Sequence, residues 1–108
     1  MATGRLGTNA LAATTLTNVY TVPAGTYSVI NVSFTNTAAT AVTIRLLVGA
    51  STTGSVITSE YIEYNTTIIG NGVFERTGVV LDAGRNVIAY ASAAGVNVNV
   101  YGIETSTS

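Results

Sequence analysis

Glu60 and Glu63 are the two side chains in this sequence best suited, by type and closeness, to act as a general acid and a general base. That chemistry needs one protonated and one ionised carboxyl converging on the same substrate. On a strand, a separation of three sends the two side chains to opposite faces, so they cannot converge locally. The many serine and threonine hydroxyls are no better placed as nucleophiles. The chain has no His, no Cys and no Lys, and so no ordinary base to activate them. Its five acidic residues are scattered, without the Asp-x-Asp spacing of a calcium loop. The residues therefore predict no catalytic residue, no metal site and no cofactor, and a protein that is not an enzyme.

Other constellations point to contacts. If Ile62–Asn65 pairs with Val73–Thr77 through a tight turn near Ile69-Gly70, Glu63 lies opposite Arg76 and the two form a structural cross-strand ion pair. A turn at Asn71-Gly72, the stronger hairpin signal, would break that register. Six tyrosines (Tyr20, Tyr27, Tyr61, Tyr64, Tyr90 and Tyr101) suit either stacking on a sugar or anchoring an interface. There is no Trp, the stronger sugar-stacking residue. Arg5 and Arg45 are candidates for meeting an acidic partner surface. Together with Leu6, Leu11, Tyr61 and Tyr101 they make up the candidate partner interface. Asn31-Val32-Ser33 and Asn65-Thr66-Thr67 match the short glycosylation pattern, which we read as accidental.

The elements that must carry these residues are strands. Val96, Val98 and Val100 alternate with Asn97, Asn99 and Tyr101, as a half-buried strand requires. Ile30, Val32 and Phe34 alternate with Asn31 and Ser33, and Val42, Ile44, Leu46 and Val48 alternate with Thr43, Arg45 and Leu47. The pattern predicts strands near 17–22, 27–35, 42–48, 56–64, 73–81, 86–91 and 96–103. Ile30, Val32, Phe34, Ile44, Leu46, Val98 and Val100 are expected in the core. Val22-Pro23-Ala24-Gly25 has type I turn chemistry. Asp82-Ala83-Gly84 and Ser92-Ala93-Ala94-Gly95 read as short hairpin links closed by a left-handed glycine. Residues 1–15 have small side chains and no clear period, and read as an arm with a short edge strand within it. Residues 16–108 then form a single domain. The expected class is all-β: an antiparallel β-sandwich, jelly-roll or Ig-like, with seven to eight strands.

Composition narrows the function. Charged residues are only 8% of the 108, against about 25% in ordinary domains. Four arginines against five acids leave a net charge of −1 and no basic footprint for nucleic acid. No apolar run approaches the roughly 18 residues of a membrane span, and Met1–Arg5 does not open an apolar leader. Assembly in a cytoplasm is expected, with neither nucleic acid nor membrane as partner. Nineteen threonines, with asparagine and serine, must supply most of the solubility. Such groups are less costly to bury at an interface than Lys or Glu.

The segments IEY, NGVFERTGVVLDAG, IAYAS and VNVNVYGIE, preceded by VYTVPAGTYSVINVSFTNTAATAVTIRL, resemble a small all-β module of tailed-bacteriophage virion proteins. Capsid decoration (cement) proteins and tail-associated proteins carry it. The likeness spans residues 10–104 and has no catalytic signature. It implies a structural protein of the virion, assembled in the host cytoplasm. The expected role is capsid decoration, with the major capsid protein or other virion proteins as partners and a homotrimeric state. The alternative is a receptor- or carbohydrate-binding module of a tail fibre or baseplate. Under the first reading, residues 1–15 are expected to be the main tether to the shell.

Overall fold

The structure is a computed structural model that describes residues 3–106. The first two residues of the expected arm, and the last two of the chain, lie outside that range. The described residues form eight strands: β1 (Thr3–Ala10), β2 (Thr17–Thr21), β3 (Thr26–Asn36), β4 (Val42–Gly49), β5 (Tyr61–Ile68), β6 (Val73–Leu81), β7 (Asn86–Ala91) and β8 (Val96–Ser106). They make two four-stranded sheets, in the orders β1-β8-β3-β6 and β2-β7-β4-β5, with every neighbour antiparallel. The alternation explains why the sheets face each other. β3 buries every second residue from Thr26 to Asn36, and β8 buries Val96, Val98, Val100 and Glu104. All seven expected core residues are 0–1% exposed.

The order of strands selects the jelly-roll over the Ig-like arrangement. Among the described strands, only β4 and β5 are both consecutive in the chain and adjacent in a sheet. The links at Asp82–Gly84 and Ser92–Gly95 are therefore not hairpins, as their length had implied. Each carries the chain from one sheet to the other. The turn chemistry itself is as expected, with Gly84 at φ 79° and Gly95 at φ 106°. A tight left-handed turn reverses the chain equally well within one sheet or between two, so its residues do not distinguish the cases.

Two further readings need correction. The edge strand expected within the arm is longer than a short one, running from Thr3 to Ala10 and pairing along its length with β8. Leu11, expected as a plug for a partner, is 3% exposed in the chain's own core, and Leu6 packs against that core. A short irregular sequence became a strand because β8 offered it a regular template. The strand expected at 56–64 instead starts at Tyr61, after a single 3-10 turn over Thr58–Glu60. The preceding loop is held over the sheet, where the Asn86 amide donates to the Ser51 carbonyl at 2.9 Å. At that end of the sheet, Leu47 and Ile88 point outward as direct partners, yet both are 0% exposed.

All four edge strands are bulged. The extra residue is Leu6 on β1 and Val19 on β2, and β5 and β6 each carry one or more beyond their partners' count. Bulges twist an edge away from further pairing. On β5 and β6 they also flip side chains. Regular pairing from Ile44↔Thr66 would set Glu63 opposite Leu47, facing out, and regular pairing from Ile30↔Val79 would set Arg76 opposite Ser33, also facing out. The observed partners are Leu46 and Val32, both core residues, so Glu63 and Arg76 turn inward. Arg76 Nη1 lies 2.8 Å from Glu63 Oε2, and Thr66 Oγ1 donates to Glu63 Oε1 at 2.8 Å. The two residues anticipated as a pair do meet, but they bridge the two sheets across the open side of the sandwich. They are not neighbours within one sheet.

Candidate functional site: an arginine clamp on the β2-β7-β4-β5 sheet

The six candidate interface residues divide between the two outer faces and the interior. Arg45 and Tyr61 lie on the outer side of the β2-β7-β4-β5 sheet, and Arg5 and Tyr101 on that of the other. Leu11 is inside, with Leu6 packed against the core.

Arg45 is the centre of the first group. It sits on β4 directly opposite Tyr90 of β7. On its other side the β5 bulge sets two residues, Tyr64 and Asn65, against it. Regular pairing would have placed Tyr64 opposite Leu46, in the core. The guanidinium lies 4.5 Å from the Tyr64 ring centroid and 4.6 Å from that of Tyr90, a double cation–π stack. Arg45 Nε donates to Asn65 Oδ1 at 2.8 Å. Asn65 has φ 53°, a left-handed conformation that asparagine tolerates better than most residues. Tyr61 meets Tyr64 edge-on, with centroids 4.9 Å apart, and Tyr64 itself is 58% exposed. The result is a rigid cation between aromatic walls on a strand scaffold.

On the opposite face, Arg5 is the cross-strand partner of Tyr101, and its Nη1 donates to Asn99 Oδ1 at 3.4 Å. The Tyr101 hydroxyl donates to the Glu75 carboxylate, which holds the phenol above its ordinary range. Beside them runs an apolar row. Ile103 of β8 lies opposite Val29 of β3, and Val29 opposite Val80 of β6. All three are exposed, as is Tyr27 two residues along β3.

Glu60 and Glu63 serve separate structures, as their spacing required. Glu60 accepts from Ser51 Oγ at 2.6 Å, Ser51 N at 2.7 Å and Ala50 N at 3.0 Å. The Ser51 hydroxyl first, then the two amides, hold its carboxyl below the ordinary carboxylate value. A depressed folded pKa contributes stability that is present above the unfolded value and disappears as pH falls through the folded one. An acid titration followed by NMR should therefore show the Ala50 and Ser51 amide resonances losing their carboxylate-bonded shifts together. Glu60→Gln should reproduce that spectrum at neutral pH. Unchanged amides in both experiments would remove this role.

Sequence reasoning missed two buried polar networks that join distant segments. The Tyr20 hydroxyl of β2 donates to Glu104 Oε2 of β8 at 2.5 Å and lies 2.8 Å from Ser28 Oγ of β3. Asn36, fully buried, donates through Nδ2 to the carbonyls of Thr40, Ile68 and Ile69 and accepts from Ala38 N, tying two loops together. The available signal was their position: Ser28, Asn36 and Glu104 all fall on the inward phase of their strands. Among the described residues there is no group of three or more potential metal ligands, and no helix long and apolar enough to cross a membrane.

Fold and site together define an eight-stranded jelly-roll domain with an aromatic–arginine cluster on one sheet and an exposed apolar row on the other. No family model matches the chain, and no curated protein is similar to it.

Proposed function

We propose that this chain is a non-enzymatic structural protein of a tailed-bacteriophage virion. Within that class we read it as a decoration or cement protein that binds the outside of the assembled head as a homotrimer. The observation that carries the reading is the outward apolar row Ile103–Val29–Val80 on the β1-β8-β3-β6 sheet. Burying such a surface against a protein partner contributes about 25 cal/mol per Å² of apolar area. With no lysine in the chain, no lysine side chain needs to be desolvated at that contact. The sequence resemblance supplies the identity of the partner, a capsid shell, and its three-fold clustering. A protein that binds only the assembled shell stabilises that shell by linkage.

Reconstruction of the virion should place the protein on the head surface. Heads lacking it should melt at lower temperature and recover when the purified protein is added, up to a saturating ratio. Val29→Asp should abolish recovery while the isolated domain keeps its β-sheet circular dichroism. Sedimentation equilibrium should give three times the 11.0 kDa chain mass. Density on the tail would favour the receptor-binding alternative. Head melting indifferent to the protein would sink the cement role, and a monomer at every concentration would remove the trimer.

A further inference from the structure

We propose that the Arg45 clamp is a binding site for a carboxylate-bearing saccharide, of the uronic or sialic acid type. This goes beyond the decoration role and stands or falls separately from it. The first ground is that Arg45 is a cation with no counter-ion among the described residues. The ion pairs among the described residues are Arg76–Glu63 and Arg85–Asp82, and Arg45 is in neither. Of the five N–H donors in a guanidinium, one goes to Asn65, and the other four have no acceptor among the described residues. The one acid on the four strands of this sheet, Glu63, is turned inward to Arg76. Among the described residues, no acid on this face competes with an incoming carboxylate.

The second ground is preorganisation. Two tyrosine rings hold the guanidinium plane, and Asn65 fixes its rotation. The fork then meets a carboxylate in two-point geometry without first losing side-chain freedom. The third is what surrounds the fork. Tyr61 and Tyr64 present aromatic surface for the C–H side of a sugar ring. Thr43 and Thr67, paired across β4 and β5 on the same outward phase as Arg45, offer hydroxyls to its hydroxyl groups. A partner protein's Asp or Glu would use the fork, but would leave this polar surround unused. The saccharide is therefore the occupant these observations favour.

The test is an NMR titration of the full chain with D-glucuronic acid and an oligogalacturonate. D-glucose serves as the neutral control, and a glutamate-rich peptide as the protein-carboxylate arm. Glucuronic acid should shift the resonances of Arg45, Asn65, Tyr64 and Tyr90, leave those of Val98 unmoved, and bind at least about tenfold more tightly than glucose. Arg45→Lys, which keeps the charge but loses the fork, should cost about tenfold, and Tyr64→Ala several-fold. If either variant fails to fold, the wild-type shifts and the acid-to-neutral ratio still decide. No acid preference, or shifts centred elsewhere, would overturn the proposal. So would saturation by the peptide as tightly as by the oligogalacturonate, which would make the clamp a protein-contact site.

Discussion

Phe34→Ala should lower the unfolding free energy by about 3–5 kcal/mol, the largest loss expected from any single truncation in this chain. Phe34 is the largest of the fully buried side chains, on the inward phase of β3, and its ring sits 6.3 Å from that of Phe74, its cross-strand partner on β6. β3 has β8 on one side and β6 on the other, so neither neighbour can close the gap without breaking its ladder. The cost should therefore stay near the upper part of that range. Urea unfolding checks it: the midpoint should fall sharply while the slope stays unchanged, since the same surface is exposed on unfolding. A loss under about 1 kcal/mol would mean that the two sheets collapse freely around the missing ring.

Tyr20→Phe should cost about 1.5–3 kcal/mol, because it removes a hydrogen bond to a buried carboxylate and leaves Glu104 and Ser28 to reorganise. The same phenol gives the protein a base-side limit. Burial first, and then the hydrogen bond to Glu104, raise its pKa to about 12, against a partial opposing effect of Ser28. A raised folded pKa contributes stability that is complete below the unfolded value near 10 and is lost as pH rises through about 12. Wild-type protein should accordingly lose stability across that window, and Tyr20→Phe should not share that part of the loss. Parallel losses in the two proteins would show that the phenol does not set the limit.

Much of the fold is legible from period alone. Ile30, Val32 and Phe34, like Val98 and Val100, declare an inward face because a pleated strand has only two faces. What the alternation cannot carry is any event that changes its phase. Tyr64 faces Arg45, and Glu63 faces Arg76, only because β5 holds more residues than β4 opposes. Counting by twos along β5 puts both on the wrong side. The ion pair was thus anticipated with the right residues in the wrong architecture, and the clamp was anticipated only as separate tyrosines and an arginine. Contacts between the sheets were also beyond local reading. Tyr20 and Glu104 are 84 positions apart, and no neighbour of either predicts the other. Leu11 shows the converse. Its surroundings looked like an unstructured arm, yet pairing with β8 carried it into the core.

The bulged borders of the two sheets bear on how this protein is counted in any complex. An open β-sheet grows by adding chains at its rim, one after another, with no natural end. Here the rims do not extend, so association is confined to the two broad faces, and each face is used up once occupied. Binding should therefore follow a saturable isotherm with a fixed ratio of copies to partner sites. Concentrated stocks should age without fibrils that bind thioflavin T. Straightening one border, by deleting Gly78 from β6, should open a single pairing edge and add an edge-to-edge pair of chains to that bounded stoichiometry.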